Sequence, residues 1–160
     1  MIVTYHPVKM PLRHTFTIAH GSTSVQESFI AELSHNGKSG FGEATANPYY
    51  GVTVPKMIEQ VESVRSLIES GSWKSPEEFH QALLSTEKLK AFTLCALDLA
   101  FNDLYGKLQG KPLYKIWGLD GSKGPISNYT IGIDTVENMV AKMKEVPWPL
   151  YKIKLGTKED

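Results

Sequence analysis

The sequence predicts an α+β fold: an antiparallel three-stranded meander, a helical bundle, and then one strand, helix, strand unit whose two strands run parallel. Three observations predict it. Strand-like runs cover residues 2 to 12, 27 to 34 and 38 to 45, the last two joined by His35-Asn36-Gly37 as a hairpin turn. Apolar residues recur at helical spacing from residue 53 to 109. Past a glycine-rich stretch from Gly118 to Pro125, a short strand, a helix and another strand follow in succession.

Each element has a local reason. The first strand is expected to end at Pro11 and to be followed by a loop up to Glu27. Asn36-Gly37 tolerates the positive φ values of a tight turn, so residues 38 to 45 should pair back on the second strand. Gly37, Gly40 and Gly42 do not make a phosphate loop, because no helix opens after them and no Lys-Ser/Thr follows. Residues 53 to 69 place Val54, Ile58, Val61, Val64 and Ile68 on one helical face, with Pro55 in the first turn. Ser75 is an N-cap for a second helix, with Glu77 and Glu78 at the positive end of its dipole. A long helix from about Lys88 to Gln109 carries a stripe of Leu94, Leu97, Phe101, Leu104 and Leu108. Phe92, Cys95, Ala96 and Leu99 form a second face, so it should be buried on most sides. Asp98 and Asp103 sit five residues apart, which splits them around the helix and suits surface hydrogen bonds rather than a metal pair. Beyond Gly118 to Pro125, Tyr129, Ile131 and Ile133 alternate in a strand over 127 to 133. Asp134 can then cap a helix burying Val136, Met139, Val140 and Met143, which Pro147 stops.

Composition narrows the function classes. Apolar residues make up 41% and charged residues 21% of 160, which suits a globular chain rather than a disordered one. Seventeen Lys and Arg balance seventeen Asp and Glu, so the net charge points to neither nucleic acid nor an anionic membrane and suits a small, neutral substrate. Cys95 has no internal disulfide partner and is expected to be a buried, inert thiol. No apolar run reaches the roughly 18 residues of a membrane span, and the start lacks a signal-peptide layout, so a cytoplasmic protein is expected.

The chemistry-bearing stretch is Tyr151-Lys152-Ile153-Lys154-Leu155-Gly156, where two lysines alternate with apolar residues in an apparently buried strand. Strand geometry puts residues i and i+2 on one face, about 6 to 7 Å apart. At an effective dielectric near 20 their like charges repel by about 2.5 kcal/mol, and an amine so placed can serve as a general base. A solvated lysine face on an edge strand is the plainer alternative for an isolated K-x-K. Glu43 and the five histidines, His6, His14, His20, His35 and His80, lack ligand-like spacing, and surface or hydrogen-bonded histidines are expected.

Taken in order, Gly40-Phe41-Gly42-Glu43-Ala44, Ala96-Leu97-Asp98-Leu99-Ala100, Gly110-Lys111-Pro112-Leu113 and Tyr151 to Gly156 resemble the enolase superfamily, specifically the muconate-lactonizing-enzyme subgroup and its dipeptide epimerases. The resemblance covers nearly the whole chain. It implies an α+β capping domain over residues 1 to 118, and over 119 to 160 the first βαβ unit of a modified (β/α) TIM-type barrel whose active site lies at the carboxyl ends of the strands. It implies a dipeptide epimerase that moves a proton at the α-carbon of the C-terminal residue. Lys154 would be the acid/base on one face and Lys152 its neighbour polarising the substrate carboxylate. Mg²⁺ would stabilise the enediolate, its ligands and the opposing lysine expected beyond Asp160, so these 160 residues alone should be inactive. Muconate cycloisomerase and o-succinylbenzoate synthase share the lysine arrangement, and a non-catalytic capping or oligomerisation module is the alternative outside enzymes. A homo-oligomer is expected.

The resemblance also marks substrate-binding candidates. Two capping loops, Phe16 to Ser24 and Ala46 to Thr53, would close over a small dipeptide and present Phe16, Ile18, His20, Tyr49 and Tyr50, with Thr130 on the first barrel strand. Epimerases selecting an acidic second residue place an arginine on the first loop. The matching position here is Gly21, beside His20. Neither loop contains Lys or Arg, so an apolar second residue is expected.

Overall fold

A computed structural model describes residues 1 to 156. The chain forms two compact units: Met1–Lys9 with Glu27–Asp120, and Met10–Gln26 with the segment from Gly121 onward.

Strands β1 (Ile2–Ile18), β2 (Gly21–His35) and β3 (Lys38–Thr45) make a sheet in the order β1-β2-β3, with residues 10 to 26 of the β1–β2 hairpin counted in the second unit and the rest in the first. The β2–β3 turn is the expected two-residue one: His35 pairs with Lys38, and Asn36 and Gly37 take φ of 50° and 72°. The first hairpin departs from expectation. Residues 12 to 18 and 21 to 26 are strand rather than loop, and Pro11 does not end β1. The order explains it, because β1 is an edge strand and a proline there deletes no inner ladder bond.

Helices α1 (Val54–Ser70), α2 (Pro76–Leu84), α3 (Ala91–Gln109) and α4 (Leu113–Ile116) follow. Ser75 caps α2 as read from sequence, its Oγ accepting from Glu78 N at 3.2 Å, and Thr53 Oγ1, not singled out in the sequence, caps α1 by accepting from Lys56 N at 3.4 Å, each ahead of a first-turn proline. The core joins Phe29, Ala31 and Leu33 of the sheet to Met57, Val61 and Ile68 of α1, Phe79 of α2 and Leu97 of α3. Phe79 stacks on Phe101 at 4.3 Å between ring centroids. The α3 stripe is buried as expected except at its half-buried end, Leu108. The second face divides: Ala96 is buried and Phe92 half-buried as expected, but Cys95 is exposed and Leu99 is 47% exposed. Closest packing falls instead on the glycines of β3. A Cβ at Gly42 would strike Ala96 O and lie 2.6 Å from Ala100 N, and one at Gly40 would strike Leu104 N. Those glycines bring sheet and helix backbones together.

Asp98 and Asp103 make helix-surface contacts, Asp98 with His80 at 3.0 Å and Asp103 with Lys107 at 2.7 Å. Asp103 also accepts from Phe41 N at 2.9 Å, satisfying a donor on the outer strand β3. On α1, Arg65 reaches Glu62 (2.7 Å), Glu69 (2.9 Å) and the carbonyl of Val3 (2.6 Å), stitching helix to first strand. Its guanidinium holds the Glu62 carboxyl at about 2, against an ordinary 4.5. The folded value is depressed, so this stabilisation is complete above about pH 4.5 and disappears as pH falls through about 2. Glu62→Gln should therefore melt below the wild type at pH 7, with the gap closing toward pH 2 in thermal scans by circular dichroism. A gap independent of pH would refute the coupling.

In the second unit, β4 (Tyr129–Ile131), α5 (Val136–Glu145) and β5 (Tyr151–Ile153) form a parallel pair and its crossover, with registers Tyr129 to Tyr151, Thr130 to Lys152 and Ile131 to Ile153. Ile131 is buried. Among the α5 residues expected to be buried, Val136 is exposed, as is Val140, while Met139 and Met143 are half-buried. The N-cap is Thr135, not Asp134: Thr135 Oγ1 accepts from Asn138 N at 3.3 Å. Asp134 is occupied elsewhere, by Lys142 at 2.7 Å and the Asn138 side chain at 2.9 Å, so its carboxyl lies well below the ordinary range. Glu145, Val146 and Pro147 end the helix as expected. No helix among the described residues is long and apolar enough to cross a membrane.

Candidate active site

Strand register assembles the lysine face. Paired residues of parallel strands share a face, so Thr130 lies beside Lys152, and alternation along β5 brings Lys154 to the same side. Lys154 N donates to Ile131 O at 2.9 Å, continuing the ladder one residue beyond β5. Both lysines thus stand at the carboxyl end of the pair, with Tyr129 and Tyr151 on the opposite face, rings edge to face at 6.4 Å. Tyr151 Oη lies 2.9 Å from Met143 O and 2.8 Å from Val146 O and accepts from Trp148 N at 2.8 Å, which fixes where β5 begins.

The strand is not buried as expected. Lys152 is exposed, Lys154 half-buried, and Ile153 and Leu155 are 48% and 65% exposed. The physical reason is that among the described residues β5 pairs with β4 on one edge and has no strand on the other.

Within the same unit the outer half of the β1–β2 hairpin lies against the end of β4. Thr17 O accepts from Ile133 N at 2.9 Å, and a Cβ on Gly132 would sit 3.0 Å from Thr17 N and 3.4 Å from the Phe16 ring. Phe16 and Thr130 both line an open cleft of about 370 Å³. Thr17 and Ser22 hydroxyls bond across the hairpin at 2.9 Å, and the turn at Ala19 and His20 leaves Ile18 and His20 exposed. The second unit thus holds Lys152, Lys154, Thr130, Phe16, Ile18 and His20. Tyr49 and Tyr50 belong to the first unit, in a 3-10 turn capped by Asn47. They are exposed and edge to face at 4.9 Å, with Tyr50 5.9 Å from the ring of Phe92.

Among the described residues no three His, Cys, Asp or Glu side chains converge to hold a metal ion. His6, His14 and His80 are hydrogen-bonded to Glu32, Glu145 and Asp98. One pair of contacts was not visible from sequence. Glu145, the last residue of α5, takes Arg13 at 2.6 Å and His14 at 2.7 Å, a meeting of residues more than 130 positions apart that no local pattern signals.

This fold, an antiparallel meander, a helical bundle and a parallel pair, recurs in a solved enolase family member from Agrobacterium tumefaciens, with a TM-score of 0.80 at 24% identity over 98% of this chain and 46% of that one. No protein-family model matches the chain. The chain is 51% identical over 160 residues to an L-Ala-D/L-amino acid epimerase of Maribacter sp., covering 100% of this chain and 47% of that protein. It is 51% identical over 151 residues to the protein of the same name from Flavobacterium johnsoniae, covering 94% and 45%. A solved dipeptide epimerase of Enterococcus faecalis, complexed with Mg and the dipeptide L-Leu-L-Tyr, superposes with a TM-score of 0.81 at 28% identity, over 98% of this chain and 45% of that one. The chain is thus similar along its length to proteins named as dipeptide or L-Ala-D/L-amino acid epimerases, and it spans about half the length of the curated relatives it matches.

Proposed function

We propose that these residues act as the amino-terminal part of a Mg²⁺-dependent dipeptide epimerase, with 1 to 118 as the capping domain and 119 to 160 opening the barrel. The observation that carries this reading is the placement of Lys152, Lys154 and Thr130 on one face at the carboxyl end of a parallel pair. In this reading the neutral Lys154 amine accepts the α-proton of the C-terminal residue. The Cα–H electrons pass into the carboxylate as an enediolate, and a protonated base on the opposite face returns a proton to Cα with inversion. Lys152 polarises the substrate carboxylate from beside Lys154, and Thr130 contacts the dipeptide. The proposal includes a cytoplasmic location and a homo-oligomer; neither enters the chemistry.

The second substrate residue is proposed to be apolar. Phe16 and Ile18 of the hairpin, with Tyr49 and Tyr50, offer apolar contact, and residues 16 to 24 and 46 to 53 contain no Lys or Arg. Leaving a substrate carboxylate unpaired there would lower kcat/KM about a hundredfold. A dipeptide library assayed in D₂O by mass spectrometry with the full-length protein should favour Ala-Leu and Ala-Val over Ala-Glu. Preference for Ala-Glu would overturn the apolar assignment, and no exchange with any dipeptide would overturn epimerisation itself.

A further inference from the structure

Resting on the epimerase reading, we propose that Glu145 is a positioning residue for substrate specificity: it clamps the stem of the hairpin whose end carries Phe16 and Ile18. Arg13 and His14 are consecutive on β1, and consecutive strand side chains leave on opposite faces. Both nevertheless converge on one carboxylate, Arg13 Nη2 on Oε1 at 2.6 Å and His14 Nε2 on Oε2 at 2.7 Å. The Glu145 side chain is 35% exposed, against 68% for Arg13.

A second anchor lies about 10 to 13 Å farther along the strand, where Thr17 O accepts from Ile133 N. Phe16 sits between the two anchors, its ring against Gly132. Removing either anchor frees the segment that aims Phe16. The neighbouring charges cannot substitute for Glu145. Asp134 and Asn138 share the cleft beside His14, but Asp134 is held by Lys142 at 2.7 Å and by Asn138 at 2.9 Å, and Lys142 repels Arg13 rather than replacing its partner. An exposed ion pair alone contributes little to stability. Its effect here is on geometry: a displaced Phe16 contacts the substrate side chain less well in ground and transition state alike, which weakens binding and leaves the step at the α-carbon unchanged.

The test uses the full-length protein and three variants: Glu145→Gln, the pair Arg13→Met with His14→Gln, and all three together. With Ala-Leu as substrate, Glu145→Gln should raise KM about three- to tenfold and leave kcat within about twofold. Amides of residues 13 to 18 should exchange with D₂O about tenfold faster, while those of β2 at Phe29 to Leu33 do not change. The triple variant should be no worse than either parent, because all three substitutions break one clamp. Unchanged KM and exchange in Glu145→Gln, or additive losses in the triple variant, would overturn the proposal. Should Glu145→Gln fold poorly, the Arg13 and His14 pair gives the same readout from the strand side. Absence of epimerisation in the wild type would sink the functional reading and the specificity role with it, and the exchange measurement still decides the clamp.

Discussion

Lys154→Ala in the full-length protein is expected to reduce epimerisation about a thousandfold, the loss typical of removing a positioned general base. The effect should be one-sided. Solvent exchange at the α-carbon from the opposite face should survive in part, because in the proposed mechanism a second base acts there independently. Lys152→Ala should instead lower exchange on both faces, since in that mechanism its amine acts on the carboxylate that both half-reactions share. The structural ground for separating the two lysines is their position on β5. Lys152 pairs with Thr130 inside the ladder, whereas Lys154 stands one step beyond it, held by its backbone bond to Ile131 and closer to the strand end. Rates for the L,L and L,D forms of one dipeptide, followed separately by deuterium incorporation in folded variants, decide it. Equal loss on both faces for Lys154→Ala would reverse or abolish the assignment.

What could be read from the sequence was what short-range physics determines. Asn36-Gly37, the cap at Ser75, and the stop at Pro147 are local and came out as expected. Features that depend on a distant neighbour did not. Pro11 looks like a strand end until the sheet order makes β1 an edge. Cys95 and Leu99 look buried because α3 is apolar nearly all round, and periodicity alone cannot say which part of such a helix lacks a partner. The lysine strand looked buried because alternating Ile153 and Leu155 suggest cover on one face, yet the cover must come from a second strand edge. The lysine pair itself was legible only because other motifs in the right order accompanied it. Glu145 with Arg13 and His14 was not legible at all, being a tertiary contact between three ordinary surface residue types.

Gly42→Ala is expected to be the most damaging single-methyl change in the first unit. The added Cβ would collide with Ala96 O and come within 2.6 Å of Ala100 N and 2.8 Å of Leu99 Cβ. Two of those three are helix backbone, so no rotamer change relieves them; α3 must move off β3 as a body. Moving it loosens Leu97 and Phe101, which are buried in the core on the same helix. Overpacking of this kind costs about 3 kcal/mol, which for a domain of this size lowers Tm by roughly 6 to 12 °C. The neighbouring residue supplies the contrast. Phe41 is far larger but 47% exposed, its ring 5.2 Å below the Lys107 amine, and what it contributes to folding beyond that contact is its backbone N–H to Asp103. Phe41→Ala keeps that N–H and should cost about 1 kcal/mol or less. Differential scanning calorimetry of the two variants therefore tests whether the glycines of G-F-G-E-A serve close sheet-to-helix approach. A smaller Tm drop for Gly42→Ala than for Phe41→Ala would show that α3 does not rest on the backbone of β3.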